Sequence, residues 1–482
     1  MLAAAALCLS AARAEALTVP GTGDRVEVGG WVDGRAVVDT GGGAYQAPWG
    51  RWLLGADADL GGDVRFRLQL LGQVGGPYRD ASVGFWNFDD EFENESPSLQ
   101  ADEAYLQWQP GDFDLRAGVQ LFAWGKLDGI PPTDVLNPRS YHDPLVDDVE
   151  ERKIGVPALA GTYYVPLSGD GVLSRLEGQL VYVPFAVPPR LALERERWFP
   201  SSLGVPVFIP RSHLGDIGMA LAGGVPVSFH TRNAPPSRRF EDGGVGVRIG
   251  GTVRSVDWDL YYYEGPETGP DARLAATAFC DLGTRTCRAD ARLVQEQDRI
   301  RLFGADTAFV VGPLSMRGEV VYSQDRPYLR PGSDVLRVAL RRLVGATVGP
   351  RIRVPFPDLF VDRDAVEWGI GADTIWNGFI PLVQISQIVL TEDAPQLLIG
   401  QPETRITALV RKPVLDERVE IEVRTIYAIE AGGWFALPRV SWVPRDNLRL
   451  RIGYLAVGGH AESLFGQFKA NDEVLFEARW SY

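Results

Sequence analysis

The chain has 482 residues, 54 of them glycine, with 13 Trp, 15 Tyr and 21 Phe but only 3 Met. A mean hydropathy of −0.07 and the lack of any apolar run of about 18 residues exclude a bundle of membrane-crossing helices. They do not exclude a barrel, where only alternate residues face lipid, and the formal charge of −15 argues against nucleic acid as a partner.

Residues 1–14 read as a signal peptide, an alanine-leucine stretch ending in Ala12-Arg13-Ala14 with cleavage expected after Ala14. The mature part, 15–482, then repeats a period-two pattern to its end. Val64-Arg65-Phe66-Arg67-Leu68-Gln69-Leu70 puts apolar side chains on one face and Arg, Arg and Gln on the other. Phe113 to Leu121, Val256 to Leu260, Val419 to Arg424 and Leu448 to Ile452 do the same. Strands are predicted over 24–39, 50–60, 63–75, 100–109, 112–125, 155–166, 173–185, 242–254, 256–265, 298–311, 313–325, 365–376, 378–392, 402–412, 416–429, 432–443, 446–457 and 473–482.

Their connections alternate. Gly61-Gly62, Pro110-Gly111, Ser255, Gly312, Asn377 and Pro444-Arg445 mark short turns. The intervening links include 76–99, 126–154, 186–241, 266–297, 326–364 and 458–472, with Glu430-Ala431 the one brief exception. A soluble multi-sheet protein has no reason to keep that rhythm. The sequence therefore predicts an all-β fold, a transmembrane antiparallel up-and-down barrel of about eighteen strands with short periplasmic turns and long external loops. Closure follows from the solvent, since an open edge in hydrocarbon leaves backbone groups unpaired at several kcal/mol each.

Within the loops, Cys280 and Cys287 form an even pair in an exported chain and are expected to make a disulfide. Ser333 is expected to cap a short helix with Leu336, Leu340, Leu343 and Val344 on one face. The acid runs Asp89 to Glu95 and Asp147-Asp148-Val149-Glu150-Glu151 read as solvated loop. In the last segment Phe476, Ala478, Trp480 and Tyr482 alternate, an arrangement that resembles the terminal signal by which assembly machinery recognises outer-membrane barrels.

Parity turns Arg65, Arg67, Arg116, Arg248, Arg254, Arg317, Arg405, Arg411, Arg424, Arg449 and Arg451 into the lumen, with Asp114, Asp257, Asp259, Glu319, Glu420, Glu422 and Glu477 on the same face. Such charges either hold a water-filled, selective path or merely staple the wall together. The stretch Trp124-Gly125-Lys126-Leu127-Asp128-Gly129, followed by Pro132-Thr133-Asp134 and Asn137-Pro138-Arg139-Ser140-Tyr141, is too patterned for a loose tip. It is expected to fold back and narrow the lumen, with Asp128, Asp134, Asn137, Arg139 and Asp143 as its polar groups. The alternative is a loop packed on the rim. This stretch resembles an uncharacterised group of bacterial outer-membrane barrels of porin-like or export type, departing from it at Ser140 and in the insertion near 186–241. The resemblance implies the barrel class and supplies no substrate.

No catalytic motif is readable. The four histidines (His142, His213, His230, His460) are widely separated, and no GxSxG, phosphate loop or dinucleotide fingerprint occurs. An enzyme, a metal centre and a cofactor are not expected. The expected function is an outer-membrane channel or export conduit for hydrophilic solutes or polymers, with the arginine excess favouring anionic ones. The alternative is a non-conducting barrel that anchors an envelope transport complex. Expected partners are outer-membrane lipid and lipopolysaccharide, barrel-assembly machinery and envelope transport components. Transport of hydrophobic compounds would want an apolar N-terminal plug, for which 15–24 are too few residues.

Overall fold

The computed structural model describes residues 17–19, 25–41, 48–75, 84–85, 97–129, 131–145, 148–167, 171–194, 196–201, 208–213, 219, 221–344 and 351–482. The signal-peptide segment 1–14, the acids 89–95 and Asp147 lie outside the described residues.

Eighteen long strands follow one another around a single sheet. They are β1 (Val26–Asp39), β2 (Trp49–Gly61), β3 (Val64–Gly75), β4 (Ser98–Trp108), β5 (Phe113–Gln120), β6 (Val156–Tyr164) and β7 (Leu173–Val183). Then come β8 (Gly244–Val253), β9 (Val256–Pro266), β10 (Arg299–Val311), β11 (Leu314–Leu329), β12 (Phe360–Asp373) and β13 (Ile380–Leu390). The circuit ends with β14 (Glu403–Val414), β15 (Val419–Ala428), β16 (Gly433–Arg445), β17 (Leu448–Gly459) and β18 (Glu473–Ser481). Each pairs antiparallel with the next, and β18 returns to β1 in the register Trp31↔Ser481 through Asp39↔Glu473. That pairing closes the barrel and leaves no free edge, as the period-two pattern required.

The exterior is apolar. Leu159, Leu260, Val320, Ile370, Ile385, Ile406, Ile421 and Ile452 all face outward and are exposed. Trp108, Phe113, Tyr163, Trp442 and Trp480 ring the end with the short turns, and Trp52, Tyr427 and Trp434 the other end. Phe113 and Tyr163 are cross-strand partners with ring centroids 4.7 Å apart. A band of aliphatic side chains between two aromatic girdles matches hydrocarbon flanked by headgroups. Short turns need special backbone: Asn377 (φ 50°) and Gly378 (φ 75°) are both left-handed, which lets two strands reverse without splaying.

The long loops hold structure that periodicity did not reveal. Segments 184–243, 267–298 and 330–359 build a second, five-stranded sheet on the loop side. Its order is 208–209, 225–232, 286–295, 272–281 and 351–355, with only the 225–232/286–295 pair parallel. One face is lined by Leu274, Ala276, Ala278, Ala289, Ala291 and Leu293, against which helix α1 (Gly332–Val344) packs Val335, Leu336 and Leu340. These stretches, expected as loops, alternate largely through alanine. So small a residue carries little hydrophobic signal.

Three further details differ from expectation. The cysteines close a hairpin rather than a plain loop: Cys280 and Cys287 are cross-strand partners, disulfide-bonded, with Cα atoms 4.1 Å apart. Ser333 does not cap α1; its hydroxyl binds Glu462, while the Pro331 carbonyl accepts the N–H groups of Asp334 (3.0 Å) and Val335 (3.3 Å). The side chains of Leu343 and Val344 lie outside the described residues. Arg254, expected on the lumen wall, sits exposed in the β8–β9 turn at φ 55°. The turn takes one residue more than the strand pattern allowed.

An Ile370→Arg substitution places a guanidinium in the middle of the apolar band and is expected to cost about 2–4 kcal/mol. Denaturant titration of the barrel in lipid, read by tryptophan fluorescence, checks it against Ile370→Leu at the same position.

Candidate functional site

After Gln120 the chain leaves the wall and turns inward, so β5 ends five residues earlier than the alternation suggested. The described residues of 121–155 cross the lumen. Asn137, fully buried, clamps the two legs of this segment. Its Nδ2 donates to the carbonyls of Gln120 (3.0 Å) and Ile154 (2.9 Å), and its Oδ1 accepts the Phe122 N–H (2.7 Å). Only an amide offers both donors and an acceptor in that space. Lys153, also buried, donates to the Phe122 carbonyl (2.8 Å) and pairs with Asp134 (2.9 Å), which Arg139 also contacts. Prolines stiffen the segment, and Gly125 at φ 89° brings the backbone against Thr133 and Glu319, where a Cβ would not fit.

The apolar side of the segment packs on the wall. Phe122, Trp124, Val135, Leu136 and Ile154 cluster with inward residues of β6, β7, β9, β10 and β11, among them Val181, Tyr261, Tyr263, Leu302 and Val321. The inner face is thus not uniformly polar; it is apolar where the segment lies. Trp124 donates from Nε1 to Gln179 (3.0 Å) and stands 5.3 Å from the Tyr261 ring.

The two ends are held by charge to opposite walls. At one end Lys126 pairs with Asp259 on β9 and Asp306 on β10. Glu319 on β11 accepts the N–H groups of Lys126 and Leu127 (2.8 Å) and the Thr133 hydroxyl (3.1 Å). Asp128 pairs with Arg317, which also holds Asp373 on β12 (2.5 Å), and its N–H reaches Gln384 on β13 (3.1 Å). At the other end Asp148 meets Arg424 on β15 and Arg439 on β16 (3.4 Å). Glu151 meets Arg479 on β18 (3.0 Å), Arg51 on β2 (3.2 Å) and Arg35 on β1 (3.8 Å).

Burial alone would raise the carboxyls of Asp148 and Glu151. The neighbouring guanidinium groups outweigh it and hold both well below the ordinary carboxylate range.

Several of the other expected lumen residues lie in ion pairs along the wall. Arg67 pairs with Glu103 (2.5 Å) and Asp57 (3.2 Å), Arg116 with Asp114 (2.7 Å), and Arg248 with Glu177 (2.7 Å). Glu422 joins Arg439, Arg411 (3.7 Å) and Arg424 (3.8 Å), and Arg451 pairs with Glu477 (3.4 Å). Glu420 lies opposite Ser441, and Arg65 stands exposed near the turn side. Arg449 lies directly across from Arg479, and among the described residues no carboxylate pairs with Arg449 or Arg65. Asp143 is buried beside His142, whose Nδ1 is 3.4 Å from Glu196. Phe476 and Trp480 of the terminal strand face outward and are exposed.

Sequence reading missed Lys126, Arg35, Arg51, Asp306, Arg439 and Arg479, and took Asp148 and Glu151 for solvated acids. One signal was available: the inward arginines on β15 to β18 demand counter-charges, and a nearby acid run is the place to seek them. A second crossing comes from the insertion near 186–241. Ala192, Trp198 and Phe199 pack on inward Phe435, Leu437, Leu455 and Leu475 at the loop-side mouth, and Arg197 pairs with Glu473 (2.7 Å) and Asp39 (3.0 Å).

A closed antiparallel barrel, apolar and aromatic-rimmed outside and charged within, defines a porin-like membrane β-barrel. The chain belongs to the family described as Protein of unknown function (DUF1302), whose model matches residues 76–391. Among curated proteins none matches it. Solved structures similar to it include Pseudomonas aeruginosa OpdK with vanillate, 9% identical, with 95% of this chain and 98% of that one covered at a TM-score of 0.47. Acinetobacter baumannii OccAB2 is 10% identical over 95% and 98% at 0.46. Salmonella typhi OmpF in complex with daunomycin is 8% identical over 95% and 97% at 0.39.

Two outcomes are expected. Asn137→Ala leaves three buried backbone groups without their partner and should destabilise the segment by about 2–3 kcal/mol, seen as faster proteolysis between 121 and 155. Carboxylates with depressed pKa stabilise fully above their unfolded value and lose that contribution progressively as pH falls from there through the folded one. The anchoring of the segment by Asp148 and Glu151 should therefore be intact at about pH 7 and begin to weaken below about pH 5, checked by the same proteolysis against Asp148→Asn, whose protection should depend less on pH.

Proposed function

We propose that the chain is an outer-membrane channel for hydrophilic anionic solutes, with residues 121–155 as its constriction. The observation that carries this reading is the arc of inward arginines on β14 to β18 and β1 to β3. Within it Arg449 lies opposite Arg479, next to Arg451, and has no carboxylate of its own among the described residues. Like charges set directly across a strand pair destabilise it. Their retention at the turn-side end of the lumen fits a place where a passing anion supplies the missing charge. Facing them, β9 to β12 present Asp259, Asp306, Glu319 and Asp373, so the lumen segment lies in a transverse field. Export through a leader cleaved after Ala14, and recognition of Phe476, Ala478, Trp480 and Tyr482 by assembly machinery, belong to the same reading. Outward-facing Phe476 and Trp480 support it.

The second crossing, by Trp198 and Phe199, favours another reading, a non-conducting barrel that serves as an anchor for envelope transport components. Planar-bilayer recording under a salt gradient separates the two. The channel reading expects an anion-selective reversal potential that Arg449→Glu moves toward zero or reverses. Deletion of 128–150 is expected to raise single-channel conductance. A barrel that stays silent with and without the deletion, or that prefers cations, would overturn it.

A further inference from the structure

A cavity of about 210 Å³ lies between the lumen-crossing segment and the external sheet. Its walls come from the lumen segment (Tyr141, Leu145), the stretch after β7 (Ala192, Trp198), the sheet residues Ala272 and Leu293, and the link before β18 (Leu464, Phe468). With Phe199, Phe360 and Phe465, the tyrosine, tryptophan and phenylalanine side chains supply six aromatic rings. Trp198 and Phe468 meet edge-on with centroids 5.3 Å apart.

The polar side chains in these walls are engaged with the surrounding backbone. Gln295 donates to the Pro189 carbonyl (2.6 Å) and accepts the Ala234 N–H (3.1 Å). Gln467 donates to the Leu464 carbonyl (2.9 Å), and the Thr231 hydroxyl accepts the Glu194 N–H (3.0 Å). Arg152 stacks on the Tyr141 ring at 5.9 Å, and Arg232 is exposed. Among the described residues no carboxylate lines the space.

The pocket is half-open, and its apolar walls offer water few partners. An apolar cavity of roughly 150 Å³ accommodates a benzene ring. From volume, aromatic walls and the absence of an acid among the lining residues we infer that this pocket binds a small, uncharged, apolar ring compound, one ring with a few further carbons. Such a ligand gains from desolvation and from edge and face contacts with the surrounding rings. It is chemically distinct from the anions that the arginine arc would take, so the inference stands apart from the channel reading.

Iodobenzene soaked into crystals of the full chain tests it directly. Anomalous density is expected between Trp198, Phe199 and Phe468. In lipid nanodiscs, fluorine NMR of fluorobenzene should show a protein-dependent bound fraction. Ala192→Trp, which fills the chamber, should lower that affinity by at least about tenfold, with folding checked by heat-modifiable gel migration. If Ala192→Trp fails to fold, Leu464→Trp fills the same space from the opposite wall. Iodine density confined to the lipid-facing surface, or equal binding to a folded filled variant, would sink the inference.

Discussion

The organisation of the lumen rests on a charge-complementary bar laid across a barrel. Lys126 is anchored between Asp259 and Asp306, and Asp148 and Glu151 between five arginines of the opposite wall. A charge buried alone is costly, most of all at the largely buried Lys126 pairs, while partial exposure of Asp148 and Glu151 screens theirs. The segment therefore cannot drift without stranding charges on both sides. Asn137 and Lys153 hold its legs together, so the electrostatic ends act through a stiff body rather than a slack loop. The same interactions explain why an acid run survives inside a protein that already carries a charge of −15.

The barrel was legible because each of its strands obeys one simple constraint. A segment wetted on one side and greased on the other must alternate, as Val64 to Leu70 and Leu448 to Ile452 do, and closure follows from the absence of water outside. All eighteen strands come out in the expected order. The site was legible only in part. Asp128, Asp134, Asn137 and Arg139 stood out through proline-rich patterning, and the structure buries all but Asp128, which it half-buries. Lys126 and Glu151 gave no such cue, since a charge in a loop looks solvated until the wall that faces it is known.

The external sheet was hidden for a different reason. Its strands belong to three loops, and one pairing is parallel between residues about 60 positions apart, such as Val227 and Ala289. Local periodicity has no access to pairing of that kind. The buried face is also built mostly from alanine, whose alternation with Arg288, Asp290 and Arg292 reads as polar coil. The roof and the lumen bar flank a half-open apolar pocket at the barrel mouth, where a uniformly wet interior was expected.

The place of the cysteines in that roof has a consequence for how the molecule is put together. The stapled hairpin 272–281/286–295 occupies the middle of the sheet, with 225–232 added on one side and 351–355 on the other. Among the described roof strands it is the pair joined by a tight turn, so its pairing is local in the chain. The flanking strands come from two other loops, which β7 to β12 bring together beneath it. The covalent link thus fastens the part of the canopy that its own stretch of chain already defines.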